Sequence, residues 1–171
     1  PCIVIEPGRS IVGNAGTTLY RIGAIKDIPG IRKYISADGG MADNIRPALY
    51  GAKYEAALAN RMSGDERERV TIAGKCCESG DILIKDIDLP VAATDDILAV
   101  FTTGAYGQSM SSNYNRIPRP ATVLVNKGRC AVICRRESYA QIVENDVIPK
   151  SMDARYAADS EDLPAAGGEK L

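Results

Sequence analysis

Seven short segments of this chain share one texture, and it constrains the fold more than any other feature. Leu19 to Asp27, Ile31 to Ala37, Arg69 to Ala73, Ile82 to Lys85, Ile97 to Thr102, Thr122 to Asn126 and Arg129 to Arg135 are rich in β-branched residues and partly alternate between apolar and polar. Clusters of Gly, Pro and Asp separate them. So many strands with few helices between them predict a mainly β fold, an antiparallel barrel or sandwich with a few short helices. Asn126-Lys127-Gly128 predicts a three-residue hairpin with glycine at the left-handed position. One or two helical interruptions are expected. One is the Ala-rich stretch Ala48 to Met62; the other follows Ser138-x-x-Gln141, which has the form of a capping box before Ile142 and Val143.

The N-terminus has a different style. Cys2-Ile-Val-Ile-Glu6 is nearly continuous in apolar residues, the pattern of a strand buried in a parallel sheet. It ends in the turn Glu6-Pro7-Gly8-Arg9, followed by a short helical stretch and Gly16. A domain rarely starts inside a buried parallel strand, so the expectation is the C-terminal part of a longer protein. From Lys150 onward Ala, Asp, Glu and Gly dominate, which predicts a weakly ordered tail. The expected division is therefore 1–16 as the end of an α/β barrel, 17–149 as a β-domain and 150–171 as the tail.

The chain contains no histidine. Within it, that removes Ser-His-Asp and Cys-His mechanisms, histidine metal sites and the commonest general base. Lys plus Arg number 21 against 22 Asp plus Glu, a balance that offers no attraction to nucleic acid or an anionic membrane. The apolar runs are too short to span a bilayer and the start lacks a signal-peptide pattern. Five cysteines are an odd number and do not resemble a secreted disulfide framework, which favours a reducing cytoplasm. Neither Cys76-Cys77 nor Cys130/Cys134 has zinc-ligand spacing, so no metal site is expected. Eight of the nine aromatic residues are Tyr, and five or six of these are expected to be half-buried strand residues.

Four loops carry more Gly, charge and Tyr than turns require. Glu6-Pro-Gly-Arg9 lies at the end of the expected parallel strand, where glycine admits an anion to the backbone and Arg can bind phosphate or carboxylate. Asp38 to Tyr50 places Arg46 and Tyr50 four apart, on one face if helical, although Pro47 disfavours a regular helix through Arg46. A surface salt bridge is the plainer role for that arginine. In Gly74 to Asp81, the carboxylate of Glu78 beside Cys77 suits a thiol proton donor better than a thiolate nucleophile; an inert loop cysteine is the alternative. Thr103 to Asn115 offers Tyr106, Tyr114 and many hydroxyls without charge, suited to an anion, a planar ring or simply a flexible loop.

In this order and at these separations, the four segments resemble the C-terminal portion of the diaminopimelate decarboxylase family, pyridoxal-phosphate-dependent enzymes of the alanine-racemase-like fold. The resemblance runs from about Ile3 to Ile148. Cys77 to Asp81 resembles the family's Cys-Glu-Ser-Gly-Asp element, and Gly104-Ala-Tyr106 with Ser112-Asn-Tyr-Asn115 its Gly-Ala-Tyr element. Related decarboxylases usually carry Cys-Asp in the third segment and lack Arg46-Pro-Ala-Leu-Tyr50. Lys75 and Cys76 depart from the family, which usually shows Pro and an apolar residue there; Cys76 is thereby a competitor for Cys77.

The resemblance implies roles. Glu6 faces the pyridine nitrogen of pyridoxal 5′-phosphate, Gly8 lies along its phosphate, Arg9 binds a substrate carboxylate near that phosphate, and Tyr106 contacts cofactor and substrate. Arg46 and Tyr50 hold the distal end of an amino-acid substrate, Glu78 pairs with its distal ammonium, and Cys77 delivers a proton to the α-carbon after CO₂ leaves. It further implies a cytoplasmic homodimer with shared active sites, acting in lysine biosynthesis on meso-2,6-diaminopimelate. The first strand becomes the last of a (β/α)₈ barrel, whose remainder, with the Schiff-base lysine and the Gly-rich phosphate loop, is expected outside this chain; alone, the chain is expected to be inactive. The rivals are a decarboxylase of ornithine, arginine or carboxynorspermidine, and a non-catalytic structural or dimerisation domain.

Overall fold

The computed structural model describes residues 1–63, 66–149 and 152. The expected tail from Lys150 lies, Met152 apart, outside the described residues. Among the described residues eight strands form: β1 Thr17–Ile28, β2 Arg32–Ala37, β3 Ala56–Leu58, β4 Arg67–Ala73, β5 Ile82–Pro90, β6 Ile97–Phe101, β7 Thr122–Asn126 and β8 Arg129–Cys134. Four one-turn helices accompany them: α1 Arg9–Val12, α2 Arg46–Tyr50, α3 Gly107–Met110 and α4 Tyr139–Ile142. None of the described helices is long and apolar enough to cross a membrane.

Six strands make one sheet in the order β3-β6-β1-β2-β4-β5. Twelve-residue β1 serves two partners: Thr17 to Arg21 pair with β6, and Ile22 to Ile28 pair with β2 across an irregularity between Ile22 and Ile25. That break bends the sheet, and its two edge strands, β3 and β5, come back against each other. The result is a barrel-like layer around Ile22, Ile35, Leu58, Ile72, Leu98 and Val100, all essentially sealed from solvent. Burying each such side chain contributes about 1.5–3 kcal/mol relative to leaving it exposed.

The strand pattern of the sequence is matched closely, with informative differences. Pairing is not antiparallel throughout, because β2 and β4 run parallel. The connection between them, residues 38–66, is long enough for the crossover that a parallel pair requires. The helix expected over Ala48 to Met62 does not form. Only Arg46–Tyr50 is helical; Gly51, at φ 62, ends it in the left-handed conformation, and Ala56–Leu58 becomes an edge strand that buries Leu58. Pro47, expected to interfere, sits in the first turn, where its missing N–H has no intrahelical acceptor to lose.

The β7–β8 hairpin turns through two residues rather than three: Asn126 pairs with Arg129, and Lys127 and Gly128 both have positive φ, the pattern of a type I′ turn. The Ser138–Gln141 capping box is present at α4. Cys2–Glu6 belongs to neither sheet, and Ile3, Val4 and Ile5 are 86%, 81% and 76% exposed. A strand of that composition acquires its ladder from neighbours, and no described strand of this chain pairs with it. Among the described tyrosines only Tyr20 and Tyr34 lie in strands. The others occupy loops and helix ends, where the ring can pack while the hydroxyl stays wet.

Candidate active site

The four chemical segments converge on the loops around one end of β1. The first and fourth meet through two glycines. Thr103 N–H donates to the Gly16 carbonyl and Gly104 N–H to the Gly13 carbonyl, each at 3.0 Å. A Cβ on Gly16 would lie 2.2 Å from the Gly104 Cα, and one on Gly104 would lie 2.0 Å from the Val12 carbonyl oxygen. Only glycine at both positions lets the backbones approach this far. The contact carries Tyr106 toward Gly8, where a Cβ would come within 2.8 Å of the tyrosine hydroxyl. Tyr106 itself adopts φ 65, a conformation that costs a non-glycine residue energy and that functional loops often hold.

Arg46 joins this group from α2. Its guanidinium carbon lies 5.1 Å from the centroid of the Tyr50 ring and 4.9 Å from that of Tyr106. The Tyr50 contact is the i, i+4 relation visible in the sequence. The Tyr106 contact comes from a loop 60 positions away. Together the two rings restrict the guanidinium by cation–π attraction, which leaves its N–H edge available to a carboxylate.

The second and third segments are joined by Asp81. This carboxylate is 3% exposed and accepts the Met41 N–H at Oδ1 and the Cys76 N–H at Oδ2, both at 2.7 Å. Lys75 N–H adds a bond to the Gly39 carbonyl at 3.1 Å. The turn that precedes Arg46 and the loop that bears Cys77 and Glu78 are thus one hydrogen-bonded unit. Beside it, the Tyr20 hydroxyl donates to Asp43 at 2.5 Å, and burial pushes both groups above their ordinary pKa ranges.

The two adjacent cysteines separate cleanly. Cys76 is buried, and desolvation, with Asp81 close by, pushes its thiol up to about 11. Cys77 is exposed. Cys76 therefore fills the place of the apolar residue expected there, and of the two thiols Cys77 is the accessible one. Glu78 is exposed and accepts a hydrogen bond from the hydroxyl of Tyr114, whose loop is linked to the second segment by the Ser112 N–H and the Ala42 carbonyl at 2.8 Å.

Of the residues singled out from sequence, the structure brings Gly8, Arg46, Tyr50 and Tyr106 together and sets Glu78, beside Cys77 in the chain, against Tyr114. Glu6 and Arg9 stand exposed on the segment entering α1. A shallow cleft of about 80 Å³ beside Tyr20, Asp43, Lys75 and Arg136 contains none of the proposed site residues. Sequence reasoning gave no role to Asp81 or Tyr114. Asp81 stood out only as the last residue of the Cys-Glu-Ser-Gly-Asp element and Tyr114 only within Ser112-Asn-Tyr-Asn115; the partner of Tyr114 is 36 positions away.

Comparison with known proteins places these observations. The family described as pyridoxal-dependent decarboxylase, C-terminal sheet domain, matches residues 3–104, more than half of the chain. Over 147 residues the chain is 62% identical to the diaminopimelate decarboxylase of Bacillus subtilis, covering 86% of this chain and 34% of that protein. The Bacillus methanolicus enzyme of the same name is 64% identical over 137 residues, 80% of this chain and 32% of that protein. The crystal structure of M. jannaschii diaminopimelate decarboxylase in complex with L-lysine superposes with a TM-score of 0.81 at 40% identity, over 86% of this chain and 33% of that one. The chain thus spans about a third of the length of the curated relatives it matches. On the strength of its sheet, its loops and this match, the chain belongs to the pyridoxal-dependent decarboxylases, in their C-terminal sheet domain family.

Proposed function

We propose that this chain supplies the C-terminal sheet and part of the active site of a diaminopimelate decarboxylase, converting meso-2,6-diaminopimelate to L-lysine and CO₂. The observation that carries the reading is the Arg46 guanidinium held between the Tyr50 and Tyr106 rings, with Gly8 against the Tyr106 hydroxyl. A substrate with a second amino-acid head group needs a fixed cation for its distal carboxylate; an amine-ended substrate does not. The names of the relatives, and the lysine bound by one of them, support the same choice.

The donor set fits pyridoxal phosphate. Gly8, whose missing Cβ lets the Tyr106 hydroxyl come close, offers a phosphate a backbone N–H beside that hydroxyl, and Glu6 supplies a carboxylate for a ring nitrogen. When bound, this cofactor provides a ring that accepts the electron pair released as CO₂ leaves. Glu6 keeps the proton on that nitrogen. Arg9 and Arg46 hold carboxylates, Tyr50 and Tyr106 fix Arg46 and border the substrate, and Glu78 receives the distal ammonium. Cys77 gives its thiol proton to the α-carbon, a role suited to its exposure.

In this reading residues 1–16 close a barrel, 17–149 form the sheet domain, and the enzyme is a cytoplasmic homodimer. Cys77 and Glu78, both exposed, then serve as arms that reach a partner subunit's site. A substrate panel with the full-length enzyme tests the proposal. Decarboxylation of meso-diaminopimelate should exceed that of ornithine, arginine and carboxynorspermidine in kcat/KM by several orders of magnitude, as expected where buried polar groups go unpaired with the wrong substrate. Preference for any of those three would overturn it.

A further inference from the structure

The Tyr114 hydroxyl donates to Oε1 of Glu78, the one side-chain hydrogen bond that Glu78 makes among the described residues. We propose that Tyr114 is a positioning residue that aims the Glu78 carboxylate at the distal ammonium of the substrate. The inference rests on the role given to Glu78 above.

An exposed glutamate has several rotatable bonds and no preferred direction, and fixing it costs conformational entropy that a charge-assisted hydrogen bond offsets. With Oε1 engaged by Tyr114, Oε2 is left for a cation. The phenol is the donor in this bond, and the bond to Glu78, with burial and the neighbouring Cys76 and Cys77, raises the Tyr114 pKa above its ordinary value.

Tyr114 is itself fixed from both sides. Behind it, Asn113 Nδ2 donates to Glu137 Oε2 at 2.6 Å, and Arg119 donates to Asn113 Oδ1 at 2.8 Å and to Glu137 Oε1 at 2.7 Å. The next two residues, Asn115 and Arg116, adopt φ 54 and 56, so the chain turns sharply after the tyrosine. In front, Ser112 N–H bonds the Ala42 carbonyl in the turn that leads to Arg46. Tyr114 therefore ties Glu78 to a fixed loop frame of its own subunit, from which the carboxylate reaches the distal ammonium of a substrate in the partner subunit's site.

The test is a double-mutant cycle in the full-length, cofactor-loaded enzyme: Tyr114→Phe, Glu78→Gln and the pair, with KM and kcat measured separately. Tyr114→Phe should raise KM for meso-diaminopimelate about tenfold, the cost of one hydrogen bond to a charged group. The change in kcat should stay below about twofold. Glu78→Gln should raise KM by at least as much, and adding Tyr114→Phe to it should change nothing further, because the hydroxyl acts through the carboxylate. For 2-aminopimelate, a diacid without the distal ammonium, Tyr114→Phe should leave KM unaltered.

An unchanged KM in Tyr114→Phe, beside a raised KM in Glu78→Gln, overturns the positioning role alone. Additive losses, or equal losses with 2-aminopimelate, also overturn it and mark Tyr114 as structural. An unchanged KM in Glu78→Gln overturns the underlying assignment of Glu78 instead.

Discussion

Asp81→Asn is the perturbation whose effect follows most directly from the geometry. The carboxylate is buried and takes one backbone N–H on each oxygen, from Met41 and Cys76, both at 2.7 Å. Asparagine has the same shape but only one acceptor atom. One of the two N–H groups must then face an amide NH₂, so one bond to a charged acceptor is lost, the other becomes a neutral bond, and a buried donor is left unpaired. Hydrogen bonds to charged groups contribute about 1.5–3 kcal/mol each, and an unsatisfied buried donor costs about 1–3 kcal/mol. Relief of the buried charge offsets part of this, leaving an expected loss of about 2–4 kcal/mol. The side chain has little room to reorient, because a Cβ on Gly40 or Gly74 would already be 2.5 or 2.2 Å from its oxygens. Urea unfolding is the assay: the midpoint should fall with the slope unchanged. Hydrogen exchange at Met41 and Cys76 should accelerate with it, since these amides lose their acceptor. A loss below about 0.5 kcal/mol, with both amides still protected, would refute the argument, since it would mean that Asp81 does not join the two loops.

Three further outcomes are expected. Gly104→Ala should destabilise by about 1–3 kcal/mol in the same unfolding measurement, because its Cβ would lie 2.0 Å from a backbone oxygen; no loss would show that the loop tolerates a side chain there. At pH 8, iodoacetamide should alkylate Cys77 while Cys76 stays unmodified, since Cys76 is buried and its thiol, at about 11, is only about one part in a thousand thiolate; mass spectrometry of tryptic peptides would detect the reverse order. In acid, Asp96 gives the sign of a stability change: burial opposes its charge, but the Ala93 N–H, Asn60 and Arg61 hold its pKa below the ordinary value. Its contribution is therefore complete above the unfolded pKa of about 4 and is lost as pH falls through the lower folded value, so Asp96→Asn should flatten the acid limb of a Tm-against-pH curve; an unaltered limb would contradict this.

The sheet was legible because its physics is local. Alternation in Leu19 to Asp27 records which side chains face the core, as buried Tyr20 and Ile22 do, and the capping box of Ser138 and Gln141 is a four-residue device. Ala48 to Met62 misled for the same reason. Its alanines favour a helix in isolation, whereas Gly51 ends the helix and the place of Ala56–Leu58 beside β6 is set by strand pairing across some 40 residues. The buried strand expected at Cys2–Glu6 depends on neighbours that its own composition cannot specify.

The site divides along the same line. Arg46 and Tyr50 share a helical face and could be paired from their spacing. The second ring on Arg46, the Glu78–Tyr114 bond and the Asp81 anchor are long-range contacts between loops, and the sequence shows each residue type without its partner.

The central claim, that Arg46 recognises a distal carboxylate, is most directly tested by measuring Arg46→Ala in the full-length enzyme with two substrates. For meso-diaminopimelate the loss of a paired charge should raise KM by at least about thirtyfold, corresponding to the lower end of about 2–5 kcal/mol for such truncations. For D-lysine, which keeps the reacting head group and the distal ammonium but lacks the distal carboxylate, KM should hardly move. Equal increases for both substrates, or none for diaminopimelate, would contradict the account.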